Sequence, residues 1–284
     1  MNPVRTMIPA AGQRGIALVI VLWLLVLLTV IAASHARAIR TETRLAANQL
    51  DAGKARSLAE TGVHHAIMEL LVRDEALRWP ADGRVNRLRY IDGEVAISIR
   101  DARGLVDINK VTATVLDSVL AGTGIDAEQR QALVGATLDW RDKDNLKQIS
   151  GAEDDDYRRA GMKWAARDGA FSSIEEFRYV MGMTNALFEQ LAPYLTVHSG
   201  QAGVNLDFAP PWLVSVLSAT QDTPRTGAAA TRGGSVFHVT AWSTSSGGSN
   251  ASIDLVVRIS PRSDPAYTIL SWRSPARSIP RTGG

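Results

Sequence analysis

The sequence predicts an α+β protein in which a long N-terminal helix packs on an antiparallel sheet and a large helical insertion interrupts that sheet. Three observations support this prediction. Residues 16–79 contain no proline and keep helical periodicity. Strand-like alternation occurs in two separate groups, and the residues between these groups, about 104–219, have a helical pattern. At 45% hydrophobic and 21% charged residues, the composition is that of an ordinary globular protein.

Composition and charge also exclude several classes of function. The formal net charge is only +2, which gives little support to nucleic-acid binding. The chain has no cysteine, so disulfides, thiolate zinc sites and cysteine nucleophiles are excluded. Serine and histidine occur without a nucleophile elbow or a positioned acid. The sequence therefore predicts a protein that is not an enzyme.

The N-terminal region contains an apolar run. Eighteen uncharged residues, 16–33, correspond to about 27 Å of helix, which is close to the thickness of the hydrocarbon core of a bilayer. Arg5 and Arg14 precede the run with no acidic residue, which predicts a cytoplasmic N-terminus, although arginines at 37–44 weaken the asymmetry. A cleaved secretory signal ending in the small residues 32–36 is an alternative.

The helical pattern does not stop with the apolar run. Alanine, leucine, glutamate and arginine dominate the residues that follow, and apolar side chains recur at helical spacing. Gly53 and Gly62 are the only weak helix formers. We expect one helix of roughly 60 residues, about 90 Å long. Its first third is uniformly apolar and the remainder amphipathic.

This helix resembles that of the type IV pilin family. The motif "QRG" before Ile16 also resembles a prepilin peptidase site, so the resemblance implies cleavage between Gly15 and Ile16 and methylation of the new N-terminus. The apolar run would then stay on the mature protein as an assembly helix. The family usually has glutamate as the fifth mature residue, whereas this chain has Ile20. A carboxylate there would need a partner, such as the amine of a neighbouring subunit.

The strands fall into two groups. "RVNRLRYI" and "EVAISIR" flank Asp92-Gly93, a strong hairpin-turn signal. Strand character returns in "SVFHVTAWSTS", "ASIDLVVRIS" and "AYTILSWR". The simplest topology joins both groups in one antiparallel sheet. The predicted organisation is a leader (1–15), a membrane-spanning part (16–36), a pilin helix with first strands (37–103), a helical insertion (104–219), C-terminal strands (220–273) and a disordered tail (274–284).

The insertion consists of short helices joined by glycine turns. These resemble two SAM-like or helix-hairpin-helix modules, so a membrane-anchored, DNA-binding envelope protein is the alternative hypothesis. A DNA-binding hairpin offers its turn amides to a phosphate with lysine or arginine nearby. Here Asp126 and Glu128 follow the turn at 122–124, and carboxylates repel phosphate. We therefore expect a packing scaffold and no nucleic-acid partner.

An acidic stretch, residues 139–157, contains seven carboxylates: Asp139, Asp142, Asp144, Glu153, Asp154, Asp155 and Asp156. Hard oxygen ligands on a loop suit calcium. Aligned with an EF-hand loop, Asp142, Asp144 and Glu153 occupy three of its ligand positions, but Lys147 occupies the position that requires glycine. We therefore predict a calcium loop of another geometry. A solvated loop neutralised by its own basic residues is the alternative. Catalytic carboxylates are less favoured, because no nucleophile or phosphate loop accompanies them.

"DWRDKD", "GAEDDDY", "FSSIEEFRYVMGM" and "VNLDFAP" together resemble the type II secretion system protein K family of minor pseudopilins. The resemblance implies a non-enzymatic tip subunit that initiates pseudopilus assembly for protein export across the outer membrane. It implies minor pseudopilins I and J, other pseudopilus and inner-membrane secretion subunits, prepilin peptidase and the lipid bilayer as partners. The chain would cross the bacterial inner membrane once, with its N-terminus cytoplasmic and its bulk periplasmic.

The same resemblance implies bound Ca²⁺, one or two ions, in the acidic stretch. The ligands that it implies are Asp142, Asp144, Glu153, Asp155 and Asp156. Asp139 is expected to cap a helix or to pair locally instead.

Overall fold

The computed structural model describes residues 14–74, 77–219 and 234–275. Most of the predicted leader, the start of the predicted 220–273 segment and nearly all of the predicted disordered tail lie outside these ranges. The helices are α1 (Arg14–Leu71), α2 (Ala113–Ala121), α3 (Ala127–Arg141), α4 (Asp154–Arg159), α5 (Asn185–Leu191) and α6 (Pro211–Ser218). The strands are β1 (Asp82–Tyr90), β2 (Gly93–Asp101), β3 (Val106–Asp107), β4 (Leu195–Thr196), β5 (Ser235–Ser245), β6 (Asn250–Ile259) and β7 (Tyr267–Arg273).

Helix α1 is 58 residues long, which confirms the prediction of one continuous helix. The chain consists of two compact units, Met1–Gly53 and Lys54–Gly284, and the boundary between them lies within α1. In the first unit the large apolar side chains between Leu18 and Ile31 are 49–76% exposed. Among the described residues, α1 is the one helix long and apolar enough to cross a membrane.

The second unit contains an antiparallel sheet of five strands in the order β1-β2-β5-β6-β7. The sequence correctly joins the two strand groups, because β2 pairs with β5 from Gly93–Ser245 to Asp101–Phe237. The part of α1 in this unit packs on one face of the sheet. The buried residues that α1 contributes are Leu58, Ala59, Val63, Ala66, Ile67 and Leu70.

The first hairpin differs from its prediction by one residue. Tyr90 pairs with Gly93, so Ile91 and Asp92 form the turn instead of Asp92 and Gly93. Gly93 is the first residue of β2, with φ +148°, and a Cβ there would lie 2.1 Å from the carbonyl oxygen of Thr244. The glycine is required by the close approach of β5 rather than by the turn.

Residues between β2 and β5 form the helical insertion. Its helices share a single hydrophobic core, so the two predicted modules are packed together. Thr112 and Asp126 cap α2 and α3, because their side chains accept the N–H groups of Val115 and Gln129. The sequence does not predict the two-residue parallel pairing of β3 with β4, which ties the start of the insertion to its later part.

The insertion contacts the face of the sheet opposite α1. The Nε2 atom of His238 on β5 lies 3.0 Å from Oγ1 of Thr196 on β4, and Arg100 donates to the carbonyl oxygen of Phe208 over 3.4 Å. Burial lowers the pKa of His238 to about 3, so its imidazole is neutral at physiological pH. Sheet and insertion are thus joined by polar contacts between named side chains.

Gly62 marks the closest approach of α1 to the sheet. A Cβ at this position would lie 2.5 Å from Cγ1 of Val95 and 3.2 Å from Cβ of Ala241. Both neighbours are fully buried and have no room to move. The glycine that weakens the predicted helix is therefore the residue that lets the helix pack on the sheet.

We expect Gly62→Ala to lower the free energy of unfolding by about 1–3 kcal/mol, because the added methyl overpacks the interface by more than the helix propensity gains. Thermal unfolding of the full chain in a neutral detergent, monitored by the near-ultraviolet circular dichroism of its tryptophans, measures this change. Gly53→Ala is the matched control, since nothing lies within 4 Å of a Cβ there, and it should not lower stability. Equal effects of the two substitutions would contradict the packing argument.

Candidate functional site

Five carboxylates converge at the ends of two helices and one loop of the insertion. Asp139 lies in the last turn of α3 and Asp142 caps its C-terminus. Glu153 is the N-cap residue of α4 and Asp154 is its first residue. Asp168 follows α4 in a loop with φ +54°, and its charge acts on the carboxyls of Asp142 and Glu153. We call these five residues the acidic cluster.

Several oxygens of the acidic cluster are buried without a hydrogen-bond partner. They are Oδ2 of Asp139, Oδ1 of Asp142, both carboxylate oxygens of Glu153 and Oδ1 of Asp154. The side chains of Asp139 and Glu153 are almost completely buried, with residue exposures of 0% and 6%. Burying an unpaired carboxylate is costly unless a proton or a cation compensates it.

The loop between α3 and α4 is shaped to close over Asp139. The N–H of Gln148 donates to Oδ1 of Asp139 over 3.0 Å. A Cβ at Gly151 would lie 2.0 Å from Oδ2 of the same aspartate, and one at Gly135 would lie 2.8 Å from Cα of Gly151. Two glycines therefore allow the backbone to approach the carboxylate closely.

The electrostatics of the acidic cluster favour a bound positive charge. Burial, followed by the charges of Asp139, Asp142, Asp168 and Asp154, raises the pKa of Glu153 to about 7. Burial is also the main cause that raises the pKa of Asp139 and of Asp142. Glu153, Asp139 and Asp142 thus hold their protons more tightly than in water, and a cation would replace those protons.

Three of the predicted ligands have other partners. Asp144 is exposed and its Oδ1 accepts the N–H of Leu146. Asp155 is also exposed and pairs with Arg158. Asp156 accepts the N–H of Glu153 over 3.0 Å and pairs with Lys147 and Arg159, each at 3.1 Å. Of the five predicted ligands, Asp142 and Glu153 have buried oxygens in the acidic cluster. Asp144 remains exposed, and its charge acts on Asp142.

Lys147 and Arg141 make their ion pair and hydrogen bonds outside the acidic cluster. Lys147 pairs with Asp156, which lies outside it. The guanidinium of Arg141 donates to the carbonyl oxygens of Ile108 and Val111, both over 2.8 Å. The alternative of a loop neutralised by its own lysines and arginines therefore leaves the orphaned oxygens unexplained.

The acidic cluster suits a hard divalent cation in its chemistry. All five side chains offer carboxylate oxygens, which calcium prefers. Within the described ranges, no three His, Cys, Asp or Glu side chains have their donor atoms arranged to hold a metal ion. The carboxylates thus lie together without meeting at one point, as mutual repulsion dictates. The orphaned oxygens have the donor chemistry that calcium prefers, and binding would require the side chains to move closer.

The sequence contains only a weak signal for the other members of the acidic cluster. Asp154 is one of three consecutive aspartates, and the spacing does not indicate which of them turns inward. Asp139 pairs locally through Oδ1, which accepts the N–H of Gln148, but its Oδ2 is orphaned. Asp168 lies beyond the acidic stretch, in "RDG", where nothing in the sequence marks it.

The predicted processing residues lie at the start of α1. Arg14 is its first residue, and the backbone of Gly15 and Ile16 forms its first turn. The apolar run that follows has no charged side chain through residue 33, and Ile20 is 54% exposed. The anchor therefore offers no carboxylate for a neighbouring subunit.

The glycine turn that motivated the DNA-binding alternative is already satisfied internally. The N–H groups of Gly122, Thr123 and Gly124 donate to carbonyl oxygens at the end of α2. A Cβ at Gly122 would lie 2.5 Å from Val216, so the turn packs closely against α6. These amides are not free to bind a phosphate, and the DNA-binding alternative is not favoured.

Comparison with known families agrees with this architecture. Residues 85–200 match the family model described as type II secretion system (T2SS), protein K. Residues 14–64, most of α1, match a second model described as PilX N-terminal. The two matches together cover the anchor, the first hairpin and most of the insertion.

Individual relatives carry the same description. The chain is 27% identical over 230 residues to the type II secretion system protein K of Klebsiella pneumoniae, covering 73% of this chain and 70% of the relative. It is 27% identical over 216 residues to that of Pectobacterium carotovorum subsp. carotovorum, covering 64% and 62%.

A solved structure shares the fold. It is a chain from the crystal structure of the GspK-GspI-GspJ complex of the enterotoxigenic Escherichia coli type 2 secretion system, with a TM-score of 0.61, 15% sequence identity, and coverage of 84% of this chain and 100% of that chain. The long helix, the antiparallel sheet and the helical insertion form a pilin-like fold. The chain is similar to type II secretion system protein K over the regions that match, and this similarity supports the role of a minor pseudopilin.

The raised pKa of Glu153 makes stability depend on pH. Without divalent cations, the folded protein holds a proton on Glu153 up to about pH 7, whereas the ordinary pKa is 4.5. The free energy of unfolding should therefore fall as the pH rises from about 4.5 to 7, by roughly 1–3 kcal/mol. Glu153→Gln, measured by urea unfolding with chelator present, should lack this decline.

Asp155→Asn is the control for this measurement, because Asp155 is exposed and outside the acidic cluster. It should keep the pH dependence of the unsubstituted protein. Parallel pH profiles for the unsubstituted protein and Glu153→Gln would show that burial of Glu153 has no effect on its proton affinity.

Proposed function

We propose that this minor pseudopilin is the tip subunit that initiates pseudopilus assembly. The observation that supports this most directly is the absence of any charged side chain in the apolar run, with Ile20 as the fifth residue after Gly15. A carboxylate buried in the bilayer or in a filament needs a partner on a neighbour. A subunit with nothing stacked above it has no such neighbour and loses nothing by having isoleucine.

The helical insertion supports the same position. The insertion is much longer than a loop that only connects β2 to β5, and it has its own hydrophobic core. A domain of this size would obstruct a further pilin-like subunit stacked above, whereas at the end of a filament it meets no obstruction. The insertion then becomes the surface that the filament presents to proteins ahead of it, including secreted substrate.

The partners follow from the related complex. The solved structure with this fold is described as a GspK-GspI-GspJ complex. We infer that this chain assembles with minor pseudopilins I and J of its own system. We also infer cleavage by prepilin peptidase between Gly15 and Ile16, a single crossing of the inner membrane by α1 with its N-terminus cytoplasmic, and a periplasmic second unit. The role is structural rather than catalytic.

Replacing Ile20 tests the tip position. Ile20→Glu should reduce pseudopilus initiation and secretion of a reporter by at least about tenfold, because an acid without a partner costs about 2.5–3.5 kcal/mol at the centre of a membrane helix and less toward its end, where Ile20 lies. Ile20→Leu is the control and should behave as the unsubstituted chain. Both variants must be present in the membrane fraction at equal amounts. Normal secretion with Ile20→Glu would contradict the proposal.

We further propose that the acidic cluster holds calcium through Asp139, Asp142, Glu153, Asp154 and Asp168. The orphaned, buried oxygens of Asp139, Asp142, Glu153 and Asp154 support this assignment. Asp168 is exposed, and its charge acts on Asp142 and Glu153. Bound calcium supplies positive charge that offsets the repulsion among them. The residues themselves lie on the end of α3, the start of α4 and the following loop, so drawing them together fixes these three segments relative to each other.

Calcium should stabilise the full chain in neutral detergent, by about 2.7 kcal/mol at a concentration one hundred times the dissociation constant. Asp168→Asn should weaken this stabilisation, because it removes one carboxylate from the acidic cluster. Asp155→Asn is the matched control and should leave it unchanged, since Asp155 is exposed and pairs with Arg158. The opposite ranking would support the ligand set expected from the sequence.

A further inference from the structure

A cavity of about 450 Å³ opens on the insertion, outside the acidic cluster. It lies where the carboxyl ends of the parallel strands β3 and β4 meet the end of α3 and strand β6. Residues following parallel strands converge at one edge, which explains why distant segments meet there. We call this cavity the basic pocket, and its charged and titratable lining residues are Asp107, Lys110, Arg141, Lys143, His198 and Arg258.

The lining is strongly unbalanced in charge. Four cationic side chains face one carboxylate. That carboxylate, Asp107, is 1% exposed and accepts the N–H of Gly200 over 2.7 Å, the N–H of Asn109 over 2.9 Å and the hydroxyl of Ser199 over 3.3 Å. Asp107 is therefore occupied in holding the wall together. No carboxylate of the described residues forms an ion pair with Lys110, Lys143 or Arg258.

The donors that remain are separate point charges. A compact phosphate is usually held by a free guanidinium fork or by several converging backbone amides. Here both terminal nitrogens of Arg141 donate hydrogen bonds to the carbonyl oxygens of Ile108 and Val111. The amides of Gly200 and Asn109 are used by Asp107. Lysine and arginine side chains spread around a cavity of this size suit an elongated anion with several carboxylates.

We propose that the basic pocket binds an acidic peptide segment of another protein, one that presents two or more carboxylates. Exposed Lys110 and Lys143 reach the incoming chain first, and half-buried Arg258 stands on the sheet side of the cavity. Electrostatic complementarity of this kind steers association and fixes the register of the bound segment. This binding surface and its ligand chemistry are additional to the role at the tip.

The acidic cluster is a neighbour of the basic pocket. Asp142 precedes Lys143, and Asp168 precedes Gly169, which also lines the cavity. Uncompensated charge on these aspartates opposes the binding of an anion, and a bound cation relieves that opposition. Binding must therefore be measured both with calcium and with chelator, so that failure of the calcium proposal is distinguishable from failure of this one.

The probe is a fluorescein-labelled hexaglutamate peptide, added to the full chain in neutral detergent and followed by fluorescence anisotropy. Saturable binding in at least one of the two conditions is expected, weakening as salt is raised. The double substitution Lys110→Glu and Lys143→Glu should weaken it by at least about tenfold. Unlabelled hexaglutamate should displace the probe at lower concentration than inorganic phosphate.

Lys163→Glu combined with Arg262→Glu is the matched control, because both residues are exposed, lie outside the basic pocket and give the same change in net charge. Binding that survives in this control and is lost in the Lys110 and Lys143 variant supports the proposal. Three results would overturn the proposal: no saturable peptide binding with calcium or with chelator, an equal loss of peptide binding in the two double variants, or stronger competition by phosphate than by unlabelled hexaglutamate.

Discussion

The packing of α1 on the five-stranded sheet is the contact on which the rest of the second unit depends. Small residues, with Gly62 at the closest point, let the helix approach the sheet until Val95 and Ala241 lie in van der Waals contact with it. The opposite face of the sheet is then free to receive the insertion. That contact is polar and specific, through His238 and Arg100, so the insertion is held in one orientation against a rigid support.

Rigidity matters because the insertion contains groups that repel one another. In the acidic cluster, burial and the neighbouring carboxylates raise the pKa of Glu153, and Gly135 of α3 and Gly151 of the following loop allow close backbone approach. The neighbouring basic pocket concentrates the opposite charge. The acidic cluster and the basic pocket each hold like charges close together, and those charges repel one another. The shared hydrophobic core of the insertion keeps them in place. Separate groups of negative and positive side chains, as in the acidic cluster and the basic pocket, are typical of a binding surface rather than of a region that only packs against the sheet.

Much of the fold could be predicted because its signals are local. Periodicity indicates α1, alternation indicates the strands, and their order indicates a sheet interrupted by helices. The errors arise where a distant residue decides. Gly93 begins β2, rather than forming the turn, because Thr244 lies against it. The pairing of β3 with β4 joins residues far apart in the chain, and two residues are too few to give a strand signal.

For the site, the sequence by itself determined the chemistry: an acidic stretch rich in hard oxygen donors, an apolar run without a charge, and no cysteine. Only the tertiary structure decided which carboxylates act together. Asp155 and Asp156 pair with arginines and a lysine, whereas Asp139 and Asp154 have buried oxygens at the end of α3 and the start of α4. Asp168 acts on Glu153 through its charge, from a loop beyond the acidic stretch. Side-chain direction depends on helix phase and burial, and a list of neighbouring aspartates carries neither.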